Sequence, residues 1–340
     1  MRIVLDAMGS DAFPEPEVEA ALQAHQLFGD QIILVGDSAK LKPRLEALAG
    51  SNPPVQLVHA GDMITMQDKG MQMVLKARRD SSQTSMAVGI DLIKKGQADA
   101  FVTAGNTGGA MATAYYRLGV LEGVERPALS GIFPVKDGHC VVLDIGANPD
   151  CKPEHLAQFA VMGSIYAQKV LGVVTPRVGL ISNGEEEGKG NQLVKETIPL
   201  IKASPVNFIG GIEGKELFGG EADVAVTDGF TGNVLLKSSE AVAKLITDVL
   251  RKELKSSLIT MVGAALSRPA FAKIKKMLDP AEIGAAPLLG VNGLVFIGHG
   301  RSDARAILNA VRTTRQAVNA GLLEAIRQAI QSQLTLIPSQ

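Results

Sequence analysis

The chain has 340 residues, 46% of them hydrophobic and 20% charged. That is the composition of a globular protein with a sizeable core, not of a disordered segment. A net charge of −1, an aromatic content of 4% and the absence of Trp exclude a broad nucleic-acid binder and a base-stacking platform.

The first residues, Met1-Arg2-Ile3-Val4-Leu5-Asp6, form an apolar run that carries an acid, which reads as a strand rather than a signal peptide. The turn Asp6-Ala7-Met8-Gly9-Ser10-Asp11 follows, and then Val18, Ala21, Leu22 and His25 share one helix face. Further strand-length runs lie at Ile32–Val35 and Val55–Val58. Arg78-Arg79-Asp80-Ser81-Ser82 sets two arginines beside a serine pair, a pattern that can clamp an anion or simply end an exposed helix.

The next signal is a repeat. Ala98-Asp99-Ala100-Phe101-Val102-Thr103-Ala104-Gly105-Asn106-Thr107-Gly108 returns as Ala222-Asp223-Val224-Ala225-Val226-Thr227-Asp228-Gly229-Phe230-Thr231-Gly232, with seven of eleven positions identical. Each copy reads as an apolar strand, a Gly/Thr loop and a helix start, where backbone N–H groups and a helix N-terminus receive an anion. In a parallel sheet both loops are expected to open on the same edge. Asp228, found in one copy only, is able to orient a neighbouring Lys or hydroxyl or to cap the following helix.

Between the copies, Val141–Leu143 leads into Asp144-Ile145-Gly146-Ala147-Asn148. Cys140 and Cys151 have neither CxxC spacing nor a His cluster, so reduced thiols are expected, with no zinc and no disulfide. Val178–Ile181 leads into Ser182-Asn183-Gly184-Glu185-Glu186-Glu187-Gly188-Lys189-Gly190. Lys189, between two glycines, can meet phosphate as a point charge. No Ser or Thr follows it, so this is not a nucleotide-binding P-loop. Glu185–Glu187 reads as a solvated turn, and no ligand spacing demands a metal.

A further run lies at Phe208–Ile209, and beyond the second copy Leu235, Val242, Leu245 and Val249 share a helix face. From Ser256 to Leu278 an apolar stretch, Leu258–Leu266, adjoins Arg268, Lys273, Lys275 and Lys276, which suggests a projecting helical arm. Such an arm suits a membrane surface or a dimer interface. Leu294–Ile297 then leads into Gly298-His299-Gly300-Arg301-Ser302, with Ser302 expected as a helix N-cap and His299 the most site-like histidine.

Strands alternating with helices predict a three-layer α/β/α, doubly wound, mostly parallel sheet. A single catalytic domain over 1–340 is expected, with the arm at 235–280. No G-x-G-x-x-G follows the first strand, no Gly-x-Ser-x-Gly elbow occurs, and no apolar run is long enough to span a bilayer.

Several segments together resemble the bacterial phosphate acyltransferase (PlsX) family. They are Asp6-Ala7-Met8-Gly9, Ala104–Gly108, Arg126-Pro127-Ala128-Leu129, Leu143–Asn148, Gly184-Glu185-Glu186 with Lys189-Gly190, Val226–Asn233 and Ala286-Pro287-Leu288-Leu289-Gly290. Ser10 departs from the second Gly usual in that family. The resemblance implies transfer of a fatty acyl group from acyl carrier protein to inorganic phosphate; no cofactor is expected and no metal ligand is assigned, although the acidic loop Glu185–Glu187 could bind a metal. It also implies a homodimer with an isopropylmalate dehydrogenase/phosphotransacetylase-like fold. The implied location is the cytoplasm, peripherally associated with the inner face of the membrane, upstream of a membrane glycerol-3-phosphate acyltransferase. The expected catalytic residues are Lys189, Asp228, Asn233 and His299. Phosphate and substrate binding is expected at Gly105, Asn106, Thr107, Gly108, Gly229, Thr231, Gly232, Asp6, Arg78, Arg79, Ser81 and Asn148. The competing readings are a nucleotide-dependent dehydrogenase of related fold and a membrane-docked scaffold that only binds carrier protein.

Overall fold

The computed structural model describes residues 1–79, 81–186 and 188–336. Asp80 of the arginine–serine motif and Glu187 of the acidic loop lie outside the described residues. The strands are β1 (Arg2–Asp6), β2 (Gln31–Gly36), β3 (Gln56–His59), β4 (Ala100–Thr103), β5 (Ala128–Val135), β6 (Gly138–Leu143), β7 (Arg177–Ile181), β8 (Asn207–Ile212), β9 (Val224–Val226), β10 (Ala285–Leu289) and β11 (Val295–Gly298). They form one sheet in the order β3-β2-β1-β4-β11-β10-β5-β6-β9-β7-β8.

Helices cover both faces. One face carries α1 (Glu15–Phe28), α2 (Ser38–Ala49), α6 (Pro153–Lys169), α7 (Gln192–Lys202), α12 (Ala304–Asn319) and α13 (Leu322–Leu336). The other carries α3 (Gly70–Arg78), α4 (Ser85–Lys94), α5 (Thr107–Leu118), α8 (Gly214–Gly219) and the first turns of α9 (Gly229–Leu254). The expected three-layer, mostly parallel architecture is therefore present. Of the predicted helix face, Val18 and Ala21 are fully buried and Leu22 and His25 half-buried.

The centre of the sheet departs from the expectation. β10 runs antiparallel to both β11 and β5, and β5 forms an antiparallel hairpin with β6. β5 contains Gly131 and Pro134, and β10 contains Pro287, residues that weaken a strand signal because they lack a side chain or an N–H donor. Three antiparallel steps between β4 and β9 reverse the second half of the sheet. The two repeated loops consequently lie on opposite edges of the sheet, not on one.

The arrangement is a pseudo-two-fold about the β10–β5 pair. β4 beside β1 corresponds to β9 beside β7. Each pair is stapled alike. Asp99 accepts Arg2 N at 2.7 Å and Nη2 at 2.9 Å, and Asp223 accepts Arg177 N at 2.8 Å and Nη2 at 2.9 Å. Burial opposes ionisation of both aspartates, but the arginine hydrogen bonds prevail and hold both pKa values below the ordinary carboxylate range.

Beyond the sheet, α9 continues into α10 (Leu258–Leu266) and α11 (Arg268–Leu278), in which no residue is buried. Leu258, Ile259 and Leu266 are 81%, 85% and 80% exposed. Among the described residues no helix is long and apolar enough to cross a membrane.

The start of α9 is pressed against β6. A Cβ at Gly232 would lie 1.8 Å from the Asp144 carbonyl oxygen. Gly232→Ala must push α9 off the sheet and should destabilise the chain by about 3 kcal/mol. A thermal denaturation midpoint equal to that of the unsubstituted chain would contradict this close packing.

Candidate active site

The ends of β1, β4 and β11 form the first edge. Asp6 is fully buried and accepts from Met8 N at 3.1 Å and Thr103 Oγ1 at 2.7 Å. Thr103 Oγ1 in turn accepts from Gly105 N at 3.0 Å, so one hydroxyl ties the two loops. Burial raises the pKa of Asp6, against the pull of its hydrogen bonds from Ser85, Thr103 and Met8. Asn106 caps α5 by accepting from Gly109 N at 2.9 Å, and its Nδ2 donates to the Thr65 and Asp68 carbonyls at 2.9 and 3.1 Å. Its side chain thus fixes the loop. The N–H groups of Thr107 and Gly108, in the first turn of α5, have no acceptor within the helix.

Arg78 and Arg79 do not join this loop. Arg78 lies over the Tyr116 ring at 5.9 Å, and the Arg79 carbonyl accepts from Arg117 Nη2 at 2.6 Å. Tyr116 and Arg117 are in the last turn of α5, so the arginine pair stands at the opposite end of that helix from Gly105–Gly108. The arginine pair and the exposed Ser81 therefore stand apart from this loop.

His299 follows β11 and borders a cavity of about 330 Å³ with Arg301, Ser302 and Asp303. Asp303 caps α12, accepting from Ala306 N at 2.8 Å; the expected cap, Ser302, is one residue too early. His299 is open to solvent, yet the protein crowded around it removes enough water to lower its pKa. Arg301 and Lys237 lower it further, and Glu240 opposes them. Lys237 and Glu240 lie on α9, one and two turns beyond Asn233, so one stripe of that helix runs from the second repeated loop towards His299.

The ends of β6, β7 and β9 form the second edge. Buried Asp144 accepts from Leu129 N, Gly146 N and Ala147 N at 3.1, 3.1 and 2.9 Å, and from Asn148 N and Nδ2 at 2.7 and 2.9 Å. Burial raises its pKa while these donors pull it down. Asn148 Nδ2 also donates to the Pro127 carbonyl at 2.7 Å, so this amide braces the loop. Asp228 caps α9, accepting from Thr231 N at 2.8 Å and Thr231 Oγ1 at 2.9 Å. Asn233 is exposed beside Gly146.

A cavity of about 460 Å³ opens here, lined by Ser182, Asn183, Gly190, Asn191, Thr227, Asp228 and Thr231, with Leu156 and Leu180 beneath. The N-termini of α7 and α9 both meet it, capped by Asn191 and Asp228. The Ser182 hydroxyl is buried without a hydrogen-bond partner. Lys189 sits in the same loop, exposed, its stem 2.9 Å from the position of a Cβ on Gly184, and makes no ion pair among the described residues. Two helix N-termini, neutral donors and a free ammonium are groups of the kind that bind a polyanion. The acidic loop beside it is partly neutralised, because Lys215 pairs with Glu185 at 2.8 Å.

Residues 1–325 match the family described as fatty acid synthesis proteins. The chain is 50% identical over 321 residues to a phosphate acyltransferase of Acidobacterium capsulatum, covering 94% of both chains. It is 47% identical to one from Elusimicrobium minutum, covering 97% of this chain and 96% of the relative. The chain belongs to the phosphate acyltransferase family. It is therefore an acyltransferase. Solved structures show the fold alone. A Streptococcus pyogenes phosphotransacetylase aligns with TM-score 0.60 at 16% identity over 94% of each chain. The EutD phosphotransacetylase of Staphylococcus aureus gives 0.58 at 17% over the same shares. A Klebsiella pneumoniae 4-hydroxythreonine-4-phosphate dehydrogenase gives 0.53 at 12%, covering 93% of this chain and 99% of that one. Acyl-transfer and dehydrogenase enzymes thus share this architecture, and family membership separates them.

Within this acyltransferase framework, Ser182, Asp144 and Thr103 escaped selection from sequence. Each is the first polar residue at or after a strand end, which was the available signal. Cys140 and Cys151 are free thiols, pushed up to about 12 chiefly by burial, and so are unsuited to act as thiolates at neutral pH. Among the described residues no group of three His, Cys, Asp or Glu side chains is placed to hold a metal ion.

The His299 surroundings fix a sign. Its pKa lies below the ordinary histidine value of 6.5, so the neutral ring predominates at pH 7 and charges as pH falls. An NMR titration of the ring should have its midpoint below 6.5, moving lower in Glu240→Gln and higher in Arg301→Ala. A midpoint at or above 6.5 would contradict this reading.

Proposed function

We propose that this chain transfers a fatty acyl group from the thioester of an acyl carrier protein to inorganic phosphate, giving acyl phosphate and free carrier protein for phospholipid synthesis. The observation that carries the reading is family membership over nearly the whole chain, joined to a cavity whose donors suit phosphate. Phosphate is already nucleophilic at neutral pH, so no activated Ser or Cys is needed. The protein's task is to neutralise and orient it and to stabilise the oxyanion of the thioester carbonyl.

In this reading phosphate sits in the second-edge cavity, against the N-termini of α7 and α9, the Ser182 hydroxyl and Lys189. Asp228 accepts the hydrogen bond of the phosphate P–OH. A phosphate oxygen attacks the carbonyl carbon, the C–O bond forms, the C–S bond breaks, and the phosphate proton passes to the departing sulfur. Asn233, exposed on α9 two residues beyond Thr231, donates a hydrogen bond to the carbonyl oxygen. His299, at the far end of the same helix stripe, is neutral and free to accept a hydrogen bond.

The exposed apolar arm supports two further parts of the proposal: a homodimer, and peripheral contact with the inner face of the membrane, where a glycerol-3-phosphate acyltransferase consumes the product. Arg268, Lys273, Lys275 and Lys276 offer the positive charge that anionic lipid or an acidic carrier protein requires.

The decisive assay incubates the protein with acyl carrier-protein thioester, with and without phosphate. Thioester loss should depend on phosphate and yield acyl phosphate, and its absence sinks the reading. Lys189→Ala should slow the reaction by about 100-fold or more; a near-normal rate removes Lys189 from the site. Replacing Leu258, Val262 and Leu266 by Ser should release the protein from anionic liposomes while soluble activity persists. Dissociation of a dimer by the same changes would assign the arm to the interface instead.

A further inference from the structure

The two repeated loops are covered in different ways. At the second edge, a Cβ on Gly229 would meet the Asn148 backbone at 2.7 Å, and one on Gly232 the Asp144 carbonyl at 1.8 Å, so backbone seals that loop. At the first edge the equivalent glycines are covered by methionine side chains. A Cβ on Gly105 would meet the buried Met86 Cε at 2.6 Å, with Gly9 backbone behind it at 3.2 Å, and one on Gly108 would meet only side chains, Met73 Cε and Sδ at 3.3 Å and Asn106 Oδ1 at 3.5 Å. Met66 Cε covers Gly300 in the loop after β11 in the same manner, at 2.5 Å. Backbone cannot be displaced without unfolding, whereas a thioether end on three rotatable bonds swings aside and repacks against whatever enters.

The cover is also continuous with exposed apolar surface. Met66 is 38% exposed, and Met71 and Leu75, one turn apart on α3, are 71% and 42% exposed. A flexible apolar wall of this kind tolerates ligands of varying length better than a rigid pocket does. We propose that Met66 and Met73, continued outward by Met71 and Leu75, form the site for the apolar tail of the acyl substrate and set its chain-length preference. The occupant is a saturated hydrocarbon chain, because the methionine ends and Leu75 present sulfur and carbon atoms, bordered at Gly300 by the Asp11 carboxylate, and because the stripe of α9 from Asn233 leads to His299, in the loop that Met66 covers. The inference rests on the acyl-transfer reading above and extends it.

The test is a series of carrier-protein thioesters with hexanoyl and hexadecanoyl chains, assayed for phosphate-dependent thioester loss. The double variant Met66→Gln, Met73→Gln keeps side-chain length and removes apolar character. It should lower kcat/KM for the hexadecanoyl substrate by about ten-fold relative to the hexanoyl one. Met66→Leu, Met73→Leu should restore the ratio. An unchanged ratio in an active Gln variant, an equal loss at both lengths, or a changed oligomeric state overturns the proposal. If the Gln variant fails to fold, the unsubstituted protein labelled at its methionine methyls decides. Titration with S-decanoyl-pantetheine should shift Met66 and Met73 but not Met261 on the arm, and no shift at Met66 and Met73 overturns it. Loss of phosphate dependence in the unsubstituted chain would instead overturn the acyl-transfer reading, and this inference with it.

Discussion

Strand β10 is the constraint on which the rest of the structure depends. It runs antiparallel to both neighbours, as β5 does beside it, and the two strands join the parallel halves of the sheet. The β5–β6 hairpin then completes the reversal. Everything beyond is turned about, so two stretches of similar sequence fold into related strand–loop–helix units that face opposite ways, with α9 starting two residues earlier in its copy than α5 does. The matched Arg2–Asp99 and Arg177–Asp223 pairs show that the local chemistry of each half is the same. What differs is what the sheet's reversal brings against each loop.

Those different neighbours give the loops different properties. Asp144, held by five donors, shapes the second loop and presses backbone against Gly229 and Gly232. The result is a rigid edge with two helix N-termini and a free ammonium, suited to a small, highly charged ion. The first loop is braced by Asn106 and by the Asp6–Thr103 contact, but its outer cover is thioether. That edge suits something apolar and variable. Helix α9 connects them, starting at the sealed loop and passing Lys237 and Glu240 by His299. A substrate with an anionic partner at one end and a long hydrocarbon at the other matches this division.

Much of this was legible in the sequence, and the limits are instructive. Continuous apolar runs such as Val224–Val226 announced buried parallel strands, and the repeat announced two equivalent loops. Pro134, Gly131 and Pro287 hid the two central strands, and with them the reversal that separates the loops. The residue types in these loops are those that bind anions, but sequence does not show which side chains are already engaged. Asn106, Asn148 and Asp228 brace or cap their own loops, while Ser182, unremarked among its neighbours, has a buried hydroxyl with no partner. Arg78 and Arg79 read as a clamp because they adjoin serines, but α3 carries them along α5 to its far end.

The claim at the centre of this account is that the second edge, not the first, receives phosphate. A crystal structure of the protein with inorganic phosphate tests it directly. Phosphate should lie between the N-termini of α7 and α9, within hydrogen-bond distance of the Ser182 hydroxyl and the Lys189 ammonium. Phosphate bound instead at the Thr107 and Gly108 N–H groups, with the second-edge cavity empty, would contradict the account.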